Sequence, residues 1–73
     1  MTTNRRIEVT TVTGDKVNSK TALMTEDDSK KLTDVLKEVL NEGDGGYVEF
    51  DTANGHIVIS AQHIVSVAVV DIK

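Results

Sequence analysis

Apolar residues change their spacing from segment to segment along this chain, and the changes mark out its elements. Leu32, Val35, Leu36, Val39 and Leu40 follow the i, i+3, i+4, i+7, i+8 pattern of a helix buried along one stripe. Lys30, Lys31, Asp34, Lys37 and Glu38 cover its other side. Thr25 is a good N-cap residue, with Asp28 three positions on as a short version of the capping-box acid. Glu26, Asp27 and Asp28 put negative charge in the first turn, where the helix dipole favours it. Gly43 suits the C′ position, and Asp44-Gly45-Gly46 leads out. The spacing predicts a helix over Glu26–Asn41.

On either side of this helix the period shortens to two. Ile7, Val9 and Thr11 alternate with Arg6, Glu8 and Thr10, and Gly14-Asp15 can turn the chain into a returning arm over Val17–Met24. A two-residue loop would set Val12 opposite Val17 and Ile7 opposite Ala22; a three- or four-residue loop with a bulge fits equally well. The returning arm is short and polar, and Lys16 and Lys20 mark it as a protected sheet edge. A second hairpin is written around Asn54-Gly55, the dipeptide of a type I′ turn. Closing there pairs Ala53 with His56, Thr52 with Ile57, Phe50 with Ile59 and Val48 with Ala61. Val48, Phe50, Thr52, Ile57, Ile59 and Ala61 then share one face. Tyr47, Glu49, Asp51, His56, Ser60 and Gln62 fall on the other, with Val58 among them.

The last segment breaks the amphipathic rule. After a tight corner at Ala61–His63, Val65, Val67 and Val69 alternate with Ile64, Ser66, Ala68, Val70 and Ile72, so both faces are largely apolar. Such a strand asks to be covered twice. One helix covers one side of a small sheet, with Leu32, Leu36 and Val39 available for the task. The other side, carrying Ser66, Ala68, Val70 and Ile72, is therefore predicted to be a subunit interface, most simply of a homodimer.

These elements add up to a single two-layer α+β domain over residues 1–73, a mostly antiparallel sheet with one mid-chain helix, in the order β-β-α-β-β-β. Residues 1–5 read as a disordered tail. The predicted core is Ile7, Val9, Leu32, Val35, Leu36, Val39, Leu40, Val48, Phe50, Ile57, Ile59 and Val67.

At 73 residues the chain is close to the lower limit for a self-sufficient core, burying roughly 60–65% of its unfolded surface. It has no cysteine, hence no disulfide, no thiolate metal site and no cue for an oxidising compartment. Association between subunits is the remaining way to add burial. Thr2, Thr3, Asn4, Arg5 and Arg6 leave no apolar run after Met1 for a signal peptide or anchor, and Ile64–Val70 is too short to span a bilayer. The expectation is a soluble cytoplasmic protein. Its net charge is only −4, with one Phe, one Tyr and no Trp to stack on bases, so nucleic-acid binding is disfavoured.

No catalytic constellation emerges. His56 shares a face with Glu49 and Asp51, residue types that suit Zn or Mn. In the register above, however, His56 sits opposite Ala53 and away from the carboxylates, the position of an ordinary solvated residue. His63 reads as a corner residue. Asn41–Gly46 has glycines where a calcium loop needs oxygen ligands, and as a helix C-terminus it has the wrong dipole for phosphate. The hydroxyls lie outside any Gly-flanked elbow. Tyr47 is either a contact residue or a cross-hairpin packing residue. No catalytic, cofactor or metal residue is assigned.

Gly55-His56-Ile57-Val58-Ile59 followed by Ile64-Val65-Ser66-Val67 resembles the second motif of the Sm-like RNA-binding rings, a strand pair with an apolar signature. That family places its helix before all the strands, and its Gly-flanked RNA-reading loop has no counterpart in Ala61-Gln62-His63. No binding residue carries over. The leading functional expectation is a non-enzymatic interaction or structural module that self-associates and docks a larger protein partner. The alternatives are a nucleic-acid-binding or regulatory ring or dimer with Arg5, Arg6, Lys16 and Lys20 as a basic edge, and a small enzyme with an intersubunit site at His56, Glu49 and Asp51. A small acidic inhibitor of the kind mobile elements encode is the last of them.

Overall fold

A computed structural model of the protein describes residues 1–42 and 45–72. The elements are β1 (Thr2–Thr11), β2 (Lys16–Asn18), β3 (Ala22–Thr25), α1 (Glu26–Glu42), β4 (Tyr47–Thr52), β5 (Gly55–Ser60), a 3-10 turn at Ala61–His63, and β6 (Ile64–Asp71). The order β-β-α-β-β-β holds, with the returning arm of the first hairpin in two pieces. All strand pairs are antiparallel. β1 is central in the larger sheet, flanked by β2 and β3 along one edge and by β6 along the other; β4 and β5 form a separate hairpin sheet.

β1 begins at Thr2, not after a disordered tail. Thr2 to Arg5 pair with Thr25 to Ala22, which gives the terminal backbone a ladder to hold it. The hairpin turn spans four residues, Val12 to Asp15, with Gly14 at φ +90°, a value that favours glycine. Val9 is opposite Val17 and Arg5 opposite Ala22. Between those pairs, one extra residue on the returning arm makes a bulge at 19–21. Ser19 fills the gap: its N–H donates to the Ile7 carbonyl (2.9 Å) and its Oγ accepts from the Ile7 N–H (2.8 Å). The bulge also turns the Lys20 N–H outward, where it donates to the Asp51 carbonyl at 2.9 Å and ties the two sheets together.

The helix starts as its sequence predicts. Thr25 Oγ1 accepts from the Asp28 N–H (3.1 Å) and Asp28 Oδ2 accepts from the Thr25 N–H (3.3 Å), a reciprocal capping box. Its C′ position at Gly43, with Asp44, lies outside the described residues. Leu36 is buried, and Leu32 and Val39 pack beside it against the core. Val35 is 55% exposed, and Leu40, though half-buried, lies outside the core cluster. The helix meets the sheets along a stripe narrower than the sequence pattern suggests.

The core joins the two sheets and the helix: Ile7 and Val9 from β1, Leu36 from α1, Val48 and Phe50 from β4, and Ile59 from β5. Val17, Ile57, Ile64, Val67 and Val69 close its rim. Among the described residues Val9 is the single fully buried large side chain. Gly46 lies so close to the helix end that a Cβ there would stand 2.9 Å from the Val39 carbonyl oxygen. Its own carbonyl accepts from the Ala61 N–H, which seats the 3-10 turn.

Candidate functional site

The final strand is where apolar surface and unpaired backbone coincide. β6 pairs with β1 in the register Val67 to Val9, Ala68 to Glu8, Val69 to Ile7 and Val70 to Arg6. Val67 and Val69 thus join the core beside Val9 and Ile7. Ser66, Ala68 and Val70 lie on the outer face with Thr10, Glu8 and Arg6. Ser66 and Ala68 are exposed, while Val70 and Ile72 are half-buried. The register shifts by one residue at Val65, since Thr10 pairs with Ser66 but Thr11 with Ile64. This bulge overturns the simple alternation of the sequence reading: Ile64 turns to the core and Val65 is left 64% exposed.

The second hairpin carries the other concentration of functional groups. Its pairs are Thr52 with Gly55, Asp51 with His56, Phe50 with Ile57 and Val48 with Ile59. The turn is therefore Ala53-Asn54, one place earlier than the Asn-Gly signal implies, and each strand slips by two relative to its partner. Among the described residues no non-glycine has positive φ, so this is not a type I′ turn; within it only Gly55 takes a positive value, +151°. Thr52 supports the shifted turn, its Oγ1 accepting from the Asn54 N–H and donating to the Gly55 carbonyl, both at 3.3 Å. A slip of two preserves the faces, so Val48, Phe50 and Ile59 are still buried.

On the exposed face the slip changes the chemistry. His56 now stands opposite Asp51, with Nδ1 to Oδ1 at 2.7 Å, and its Nε2 reaches Glu49 Oε2 at 3.3 Å. Hydrogen bonds to Asp51 and then to Glu49 raise the His56 pKa above its ordinary 6.5, and the His56 hydrogen bond lowers Asp51 below 3.8. With a carboxylate at each nitrogen, the protonated ring can donate from both sides, and in that form it has no lone pair for a metal or a substrate proton. It clamps the hairpin.

The sign of the pH effect follows. The raised His56 pKa contributes stability fully below about 6.5 and loses it as pH rises through the higher folded value. The lowered Asp51 pKa contributes above about 3.8 and is lost as pH falls through the lower folded value. The melting temperature is expected to fall between pH 6 and pH 8 by a small amount, as suits a solvent-exposed clamp. His56→Gln should flatten that slope; an equal slope in the variant would show that the imidazolium is not its source.

The supposed basic edge is not assembled. Arg5 is buried on the core face and donates from Nε to Asp71 Oδ1 (2.7 Å) and from Nη1 to the carbonyls of Thr25 (2.8 Å) and Met24 (3.2 Å). Arg6 lies on the opposite face, 3.7 Å from Glu8. A cleft of about 480 Å³ is lined by Met1, Thr3, Arg5, Thr25, Glu26 and Asp27. Its one cationic side chain, Arg5, is engaged by Asp71 and backbone carbonyls, and its acids sit in the first turn of α1. His63 is exposed in the 3-10 turn, its carbonyl accepting from the Val12 N–H, and Tyr47 is 55% exposed. Among the described residues no three His, Cys, Asp or Glu are placed to hold a metal, and no helix is long and apolar enough to cross a membrane. No protein-family model, curated protein or solved structure matches this chain.

Proposed function

We propose that the protein is a non-enzymatic interaction module of the cytoplasm that works by self-association, as a homodimer able to dock a larger protein. The observation that carries this reading is β6, which lends Val67 and Val69 to the core while Ser66 and Ala68 on its outer face stay exposed and Val70 and Ile72 are only half-buried. The thin core gives association something to add, because a chain of this size has little burial of its own to spare. Sedimentation of the wild type should show a dimer. Val70→Lys, which places an ammonium in the middle of the proposed contact, should give a folded monomer or an unstable chain. An unchanged mass and melting temperature in that variant would show the outer face to be plain solvent-exposed surface.

A further inference from the structure

The two edges of the larger sheet are built differently. The β2–β3 edge is broken by the bulge at 19–21 and carries Lys16 and Lys20, both standard protections against pairing with another chain. The β6 edge has its bulge near its start, at Val65, and from Ser66 to Asp71 runs on with no Pro, Lys or Arg. Its one charge, Asp71, is already bound by Arg5 at 2.7 Å.

The hydrogen bonds show which backbone groups this edge offers. The Ile72 N–H donates to the Asn4 carbonyl, so even-numbered residues of β6 turn their backbone toward β1. On β1 the odd-numbered Ile7 correspondingly turns its N–H and carbonyl to Ser19. By strand alternation, Val67, Val69 and Asp71 turn theirs away from β1, where no strand of the described residues pairs with them.

We infer that β6 pairs edge to edge with β6 of a second copy, antiparallel about a two-fold axis at Ala68, joining the two larger sheets into one. This rests on the self-association proposed above but places the contact at the free edge of β6 in place of its outer face, so a Val70→Lys protein that stays dimeric overturns the face contact and leaves the edge contact standing. In this register Val67 exchanges backbone hydrogen bonds with Val69 of the partner subunit, and Ala68 faces its own copy as a non-hydrogen-bonded pair. Ser66 then opposes Val70 of the partner subunit, and the paired stretch ends at the bulge at Val65, so no charge meets its like. A two-fold contact must be self-complementary, and this strand is.

Stacking the outer faces is the competing geometry. It would bury Arg6 and Glu8 beside Val70 and Ala68, with Arg6 Nε already lacking a hydrogen-bond partner among the described residues. Edge pairing leaves both charges in water. A single strand junction is at the small end of protein interfaces, below about 1,200 Å² in total, so the dimer should dissociate on dilution.

The chain has no cysteine, which makes cross-linking decisive. Non-hydrogen-bonded antiparallel pairs bring Cβ atoms to about 4.5–5.5 Å, close to what a disulfide needs. Ala68→Cys should form a covalent dimer under mild oxidation, and Ser66→Cys should not; both sites are exposed, so folding is spared. In the unaltered protein, amide exchange at Val67 and Val69 should slow severalfold as concentration rises through the dimerisation range. A wild-type dimer in which Ala68→Cys stays uncross-linked and those amides ignore concentration overturns the edge geometry but leaves self-association standing. A wild type that remains monomeric throughout overturns both.

Discussion

Phe50→Ala should cost about 3–5 kcal/mol, the range for truncating a buried aromatic side chain. A domain of this length holds roughly 4–11 kcal/mol in total, so the variant should sit near its unfolding threshold at room temperature. The size of the effect follows from where Phe50 lies. It is 8% exposed on β4 and shares one cluster with Ile7 and Val9 of the larger sheet, Leu36 of the helix and Ile59 of the hairpin partner. Among the described residues Val9 alone is fully enclosed, so there is no second core to take up the loss. The cavity would open where the hairpin sheet meets everything else. Urea unfolding followed by far-ultraviolet circular dichroism measures it, with Val65→Ala as the control because Val65 is 64% exposed. A loss below about 1 kcal/mol for Phe50→Ala would mean that the β4–β5 hairpin is an appendage to the fold.

Elements with strong local chemistry were legible in the sequence. The helix shows its start in Thr25 and Asp28, which agrees with the structure, and of its stripe Leu32, Val35, Leu36, Val39 and Leu40 the structure packs Leu32, Leu36 and Val39 into the core. The hairpin faces were legible for a more general reason: side chains alternate with period two, so even a register wrong by two sorts the same residues inward. What such a reading cannot supply is the cross-strand partner. Asp51 meets His56 because Thr52 stabilises a turn at Ala53-Asn54, and the energy separating this turn from its neighbour is too small for a dipeptide preference to decide.

The bulge in the first hairpin was legible only as one of two alternatives, and the one at Val65 not at all, for a related reason. Each is one residue of slack, at 19–21 and at Val65, set by what must pair on either side of it. No local composition encodes that requirement. Val65 shows the consequence, since strict alternation puts it with Val67 and Val69 whereas the bulge leaves it in solvent. The outer face of β6 survives this error because Ser66, Ala68 and Val70 all lie beyond the bulge. The outer-face residues of β6 could thus be named from the sequence, and the free edge beside them could not.

Arg5→Met should cost about 2–3 kcal/mol, a large effect for a residue five positions from the chain start. Its parity held the clue: Arg5 alternates in step with Ile7 and Val9 and so shares their inward face. Buried there, the guanidinium reaches the carbonyls of Met24 and Thr25, where β3 becomes α1, and the carboxylate of Asp71 at the end of β6. It joins both flanking strands of the central β1 to the start of the helix. The three acceptors do not count equally. Asp71 keeps 58% of its side chain exposed and can return to water when the cation is lost, so the ion pair itself contributes at most about 1 kcal/mol. The two carbonyls receive a charge-assisted fork that methionine cannot replace and that lysine, with its single ammonium, can only partly replace. The order of stability should therefore be wild type, Arg5→Lys, then Arg5→Met. In a double-mutant cycle, most of the Arg5→Met loss should persist when Asp71 is already Asn. A cycle in which Asp71→Asn removes that loss would assign the stabilisation to the ion pair instead, and with it a strong dependence on salt.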